Sequence, residues 1–257
     1  MKKMIIIAAA FIFCIAAVAP GLFNKNYPVG SFDTIEAGGV YRVDLSKDAR
    51  CGVTVQAPDY MEPYLNVKVV NGTLHLGMEK LPMDIQRKLN KETEKIWATV
   101  TMPSVRRISL SGAAKCQMGG TFGKLDLRCS GAAKMDAVRM NVPDVDMELS
   151  GASKLTMDGT FLKMDAAASG ASKAVVSSET TLVELDVEAS GVSRFMMENL
   201  PAENVKVDLS GTGFCQVNAL KTIRIEASGA STCQYKAGPE TDVRILSAGR
   251  GSSVSRL

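Results

Sequence analysis

The stretch 147–159 reads MELSGASKLTMDG, and its centre, Ser150-Gly151-Ala152-Ser153-Lys154, is written again and again along the chain. Near copies stand at Ser111–Lys115, Ser130–Lys134, Ser169–Lys173 and Ser190–Arg194. A phrase this small either carries a chemical group in many copies or marks a corner that the backbone turns many times. The glycines set the spacing. Gly112, Gly131, Gly151, Gly170, Gly191, Gly211 and Gly229, with a degenerate eighth at Gly249, follow at gaps of 19, 20, 19, 21, 20, 18 and 20 residues. A period near 20 held over eight copies is the signature of a solenoid in which each copy is one coil stacked on the last.

Alternation supplies the secondary structure. One residue before each serine stand Leu110, Cys129, Leu149, Ala168, Ala189, Leu209 and Ala227. Three before stand Ile108, Leu127, Met147, Ala166, Val187, Val207 and Ile225. After the phrase, Cys116, Met135, Leu155, Ala174, Phe195, Cys215 and Cys233 form one apolar column, and a second follows two residues later. Period two with one face apolar is a strand with one buried side. No period of 3.6 appears in the repeats. Each coil therefore reads as strand, tight corner, strand and looser return, and eight rungs about 4.8 Å apart predict a rod of roughly 35–40 Å. The fold class expected is all-β, a parallel β-solenoid with about eight C-terminal coils of roughly 20 residues and atypical N-terminal coils.

Glycine allows the backbone conformation a corner needs, and Ser and Ala are small enough to stack on their copies. Ser111, Ser130, Ser150, Ser169, Ser190, Ser210 and Ser228 are expected to form a ladder that satisfies corner amides. Reading the same serines as nucleophiles requires a base, and the one histidine, His75, stands outside the repeats. The cysteines follow the columns. Cys116, Cys129, Cys215 and Cys233 take positions that Met, Leu or Phe hold in sister coils, so buried thiols are expected, although Cys215 and Cys233 fall in adjacent coils within disulfide range. With no CxxC and no histidine partner, no zinc or other metal site and no cofactor is expected.

The outward positions carry the surface pattern. Four residues after the serine stand Lys115, Lys134, Lys154, Lys173 and Arg194, a basic ridge on five consecutive rungs. The strand before the corner faces outward with acids, among them Asp126, Asp146, Glu148, Asp165, Asp186, Glu188, Asp208 and Glu226, interrupted by Arg128, Lys206 and Arg224. The ridge reads either as long stems covering a sheet and deterring edge aggregation or as a binding surface for an anionic partner such as an acidic glycan or a neighbouring subunit.

The chain has 257 residues, a formal charge of +3 and only 5% aromatic residues, so nothing argues for nucleic acid. Lys2 and Lys3 precede the run IIIAAAFIFCIAAVA, which reads as a signal peptide over 1–19. An uncleaved membrane anchor and lipidation at Cys14 are the competing readings. A linker at 20–30 is expected, then atypical coils over 31–105 and the repeat solenoid over 106–257, with 31–257 one continuous domain. Within 31–105, alternation marks strands near Val40–Leu45, Val53–Ala57, Val67–Val70 and Leu74–Leu76, and Asn71-Gly72 marks a turn. The charged insertion KLPMDIQRKLNKETEKIW holds Ile85 and Leu89 at helical spacing, which predicts one short helix.

The opening SFDTIEAGGVYRVDL, the NGTLHL segment, the junction VTMPSVRRISLSGAA and the serial glycine-serine corners together resemble the head GIN domain family, described as heads of autotransporter adhesins in Bacteroidetes-type bacteria. The resemblance implies a right-handed parallel β-helix, export to the periplasm, outer membrane or cell surface of a Gram-negative bacterium, and adhesion. It brings no catalytic residues. The expected function is a non-enzymatic binding or adhesion module with a glycan, host protein or envelope protein as partner, touching the membrane only through its N-terminal signal. The alternatives are a polysaccharide lyase-like β-helix enzyme and a periplasmic structural or envelope-stress component. A lyase needs clustered carboxylates beside a base, and the breaks in the repeat add no such pair.

Overall fold

A computed structural model describes residues 21–91 and 96–257. The signal-peptide and anchor readings of 1–19 and the lipidation reading of Cys14 lie outside the described residues. Among the described residues no helix is long and apolar enough to cross a membrane.

The chain forms a β-solenoid of about eight turns, and the apolar columns are its core. Before the corner, Leu127 pairs in parallel with Ile108 on one side and Met147 on the other, and Leu149 lies between Cys129 and Ala168. After the corner, Met135 lies between Cys116 and Leu155, and Phe195 between Ala174 and Cys215. All twelve side chains are buried. Since both sheets turn one face inward, every coil adds a layer of interlocking side chains to the last, and no coil could bury that face alone.

The corners turn on glycine. From Gly112 to Gly229 the seven repeat glycines have φ between 66° and 73°, a left-handed conformation costly for other residues. Corner amides bond straight to the preceding coil: the Ala152 N–H donates to the Gly131 carbonyl at 2.7 Å and the Ala171 N–H to that of Gly151 at 2.7 Å. The serine ladder therefore does not satisfy corner amides as expected. Its hydroxyls act as donors, Ser228 Oγ to the Leu209 carbonyl at 3.2 Å and Ser130 Oγ to that of Leu110 at 3.4 Å. The backbone of a coil in perfect register already supplies the acceptors. Gly249 needs a second correction. Its N–H bonds the Ala227 carbonyl, as the Ser228 N–H bonds that of Leu209, so it stands in the serine's place rather than the glycine's.

The N-terminal region closes the stack at one end. Its elements are β1 (Leu22–Tyr27), β2 (Thr34–Ala37), β3 (Arg42–Lys47), β4 (Gly52–Pro58), β5 (Leu65–Val70), β6 (Thr73–Met78), α1 (Met83–Lys91) and β7 (Trp97–Met102). Strands β2 and β3 form a true coil on the first repeat, pairing Ile35 with Ile108 and Val43 with Cys116, with Gly39 at its corner (φ 66°). Next, β6 and β7 add in parallel to β2 and β3. Direction then reverses. Strand β5 returns antiparallel to β6 through Asn71-Gly72, both at positive φ (48° and 74°), the geometry of a tight two-residue hairpin. Likewise β4 runs antiparallel to β7, and β1 to β4. Residues 22–27, expected within a linker, are thus a paired strand. The short helix of the insertion is α1, with Leu89 buried and the Lys88 ammonium 3.9 Å from the centre of the Tyr60 ring.

Candidate recognition surface

The first residue of each post-corner strand points outward, and backbone bonds fix where it stands. The Lys134 N–H donates to the Ala114 carbonyl, Lys154 to Ala133, Lys173 to Ser153 and Arg194 to Ser172, each at 2.9 Å. The five basic residues picked from the sequence are accordingly in direct register: Lys115 beside Lys134, then Lys154, Lys173 and Arg194. The structure lengthens the row in a way the repeat did not reveal. Arg42 of β3 pairs with Lys115, and Trp97 of β7 pairs with Arg42. The Arg42 guanidinium lies 5.0 Å from the centre of the Trp97 ring, a cation–π distance. At the other end Phe214 follows Arg194. Six cations thus stand on consecutive rungs, with an aromatic ring beyond each end.

Among the described residues, none of these six cations has a carboxylate within 4.0 Å; the ion pairs lie elsewhere. The contrast with the pre-corner sheet is sharp. There Asp126 is held by Arg107 at 2.7 Å and Arg128 at 3.0 Å, Arg128 reaches Glu148 at 3.0 Å, and Lys206 reaches Asp208 at 2.6 Å. One face pairs several of its charges directly. The ridge makes no ion pair at that distance, and its nearest outward carboxylates, Asp44 and Asp136, stand two residues past Arg42 and Lys134.

A groove of about 920 Å³ runs along the acidic side of the corner, between the serine ladder and a column containing Arg128, Glu148, Glu188, Asp208 and Glu226. Register also gathers Asp186, Glu188 and Asp208 so that one carboxylate oxygen of each lies within 4.8 Å of the others. Lys206 sits among them. This is a carboxylate cluster beside a base, which linear reading did not find, because its members lie on two coils. Its electrostatics oppose lyase chemistry. The hydrogen bond from Lys206 to Asp208 and the charge of Asp186 raise the lysine's pKa, which holds it protonated, whereas a base that removes a proton must be neutral. Past the other end of the groove a pocket of about 240 Å³ holds Glu36, His75, Ser109 and Ser111. His75 Nδ1 lies 3.1 Å from Glu36 Oε2. In register Glu36 stands between His75 and Ser109, so the rung beside the imidazole carries a carboxylate and no serine.

Family comparison accords with this shape. The family described as "Putative auto-transporter adhesin, head GIN domain" matches residues 31–181 and again 163–239. The chain belongs to the head GIN domain family. Solved structures share the fold of this head GIN chain at low identity. A "putative lipid binding protein" from Parabacteroides distasonis superposes with a TM-score of 0.79 at 12% identity, covering 93% of this chain and 98% of the other. A "putative adhesin" from Parabacteroides merdae gives 0.77 at 14%, covering 93% and 97%. One from Bacteroides fragilis gives 0.65 at 19%, covering 93% and 99%. Comparison with curated proteins finds no match. Within the head GIN scaffold, sequence reading located the repeat part of the ridge and missed Arg42, Trp97 and Phe214. The signal for Arg42 was present in the alternation of VYRVDL, but its rung depends on β3 docking against Lys115.

Proposed function

We propose that this head GIN chain is a non-enzymatic, exported binding module that holds an acidic glycan along its basic ridge. The observation that carries the reading is the row of six cations in register, none with a carboxylate within 4.0 Å among the described residues. Two like charges one rung apart repel by roughly 1 kcal/mol in water. A fold that pairs its charges on one face and stacks like charges on the other holds that repulsion ready for release by a polyanion. Export is supported by the Lys2-Lys3 and apolar opening of the sequence and by family membership.

The test compares the chain from residue 20 with a variant in which Lys115, Lys134, Lys154, Lys173 and Arg194 are changed to Gln, on an array of glycans and host matrix proteins. Saturable binding to acidic glycans, weakened by salt and lost in the variant, is the expected result. Equal binding by both proteins moves recognition to another face. If neither binds any glycan or protein on the array, the ridge is a solubility device.

A further inference from the structure

The later coils hold a cross-linking site. We infer that Cys215 and Cys233 are placed to be joined by an intramolecular disulfide that staples one coil to the next near the C-terminal end of the stack. The site goes beyond the recognition reading and does not depend on the ridge.

Register brings the pair together. Cys215 is the direct partner of Cys233 in the parallel ladder between 214–219 and 232–237. Their α-carbons are thus one rung apart, about 4.8 Å, inside the roughly 4.4–6.8 Å that a disulfide spans. Both side chains enter the same inward column, both are buried, and the Cys215 thiol hydrogen-bonds Cys233. Among the described residues the other cysteines lack such a partner on the next rung. Cys116 lies between Val43 and Met135, and Cys129 between Leu110 and Leu149. Cys51, partly exposed, turns its thiol to the Phe32 carbonyl at 3.6 Å. The fold therefore offers one bridge between one defined pair.

The pair's place in the stack is a second, independent observation. A disulfide draws two β-carbons to about 3.8 Å, roughly 1 Å less than a rung. Mid-rod coils are clamped on both sides, but among the described residues one rung alone stacks beyond Cys233, where Val254 pairs with it. The last coils have room to give by that amount. They also need the tie most. Ile245 and Leu246 of the final coil are exposed, whereas Ile225, the rung partner of Ile245, is buried. A terminal coil with a bare apolar layer opens easily. At the other end β1, β4 and β5 fold back antiparallel and close the stack.

The chemistry is thiol–disulfide exchange with a small or protein disulfide as the oxidant. One thiolate of the pair attacks the oxidant, forming a mixed disulfide and releasing one thiol. The second thiolate attacks that cysteine's sulfur, forming the bridge and releasing the other. The pair gives up two electrons and two protons, and the oxidant takes them up as two thiols. Burial in the apolar core disfavours the thiolate, so the bridge forms while the last coils are still open during folding. Without an oxidant the chain keeps five thiols, the state described here. The proposed export carries the chain to a compartment where such oxidants are kept.

The experiment unfolds and reduces the chain from residue 20, then refolds it with a glutathione disulfide and glutathione mixture or with dithiothreitol. With glutathione, the digest is expected to contain one linked peptide pair, Cys215 to Cys233, with Cys51, Cys116 and Cys129 open to alkylation after unfolding. Amides of 232–237 are expected to exchange hydrogen about tenfold more slowly in the oxidised chain than in the reduced one. Cys215→Ala and Cys233→Ala, each refolded with glutathione, should exchange no more slowly than the reduced parent; alanine already stands in this column at Ala174. Five free thiols after refolding with the oxidant, bridges scattered among the cysteines, equal exchange in the two parent states, or a variant slowed as much as the parent overturns the inference. None of these results bears on the glycan array, so the cross-link and the recognition reading fail separately.

Discussion

A β-carbon on Gly151 would stand 2.7 Å from the carbonyl oxygen of Gly131. The corner of each coil thus rests directly on the corner below, backbone against backbone, and the room between them is one hydrogen atom wide.

Gly151→Ala has nowhere to go. It must hold φ near 69° and push the Gly131 carbonyl, which accepts the Ala152 N–H bond. A loss of about 2–4 kcal/mol is expected, from left-handed backbone strain and overpacking together. Gly123→Ala is the control, since nothing lies within 4 Å of its built β-carbon. Urea unfolding of both variants checks this, and equal midpoints would refute the stacked-corner account.

Two residues past the glycine, Ser153 is buried with no partner for its hydroxyl. Its sister Ser193 donates to the Ser190 carbonyl at 2.8 Å. Ala114 and Ala133 show that alanine fits this position. Ser153→Ala is expected to stabilise by about 1 kcal/mol and Ser193→Ala to be neutral or destabilising. Thermal melts in which the two variants shift alike would contradict the difference in bonding.

Asp186 titrates above the ordinary carboxylate range because burial disfavours its charge, an effect larger than the pull of Lys206. With the folded pKa above the unfolded one, the native state binds the extra proton, so this group's contribution to stability falls as pH rises through that window. Asp186→Asn, which carries no charge to bury, is expected to be at least as stable as the parent at pH 7. That advantage should vanish in acid below the normal carboxylate pKa. Denaturation midpoints at both pH values decide it, and a variant weaker at pH 7 would show that Lys206 dominates instead.

Thiol chemistry reads the inward columns. Cys116, Cys129, Cys215 and Cys233 are buried, while Cys51 is partly exposed. Burial pushes the Cys129 thiol up to about 12 and that of Cys116 upward as well, and a hydrogen bond with Cys233, with burial second, raises that of Cys215; thiolate is the reactive form. In the chain from residue 20, an alkylating reagent at pH 8 should modify Cys51 alone, and all five thiols only after unfolding. Mass spectrometry of the native digest checks this; early labelling at Cys215 or Cys233 would mean that the later coils open.

The reach of sequence reading followed the repeat. Leu127 above Ile108 and Lys154 above Lys134 were legible because a coil of nearly constant length puts each residue on its own copy, so a linear period becomes a column in space. The buried cysteines and five cations of the ridge followed by the same logic. Tertiary structure decided what the period does not encode. Docking β3 against the first repeat put Arg42 and Trp97 in line with the ridge. Docking β6 against β2 brought His75 to Glu36. Bond direction at the corners, where carbonyls of the coil below were already placed as acceptors, made the serines donors. Within the repeats, Asp186, Glu188, Asp208 and Lys206 became one cluster only through register between two coils. Sequence by itself determined which faces are buried and how often the chain turns, since stacking in register makes those properties of a single coil. The neighbours of the non-repeating strands were decided by packing, because no period relates them to anything else in the chain.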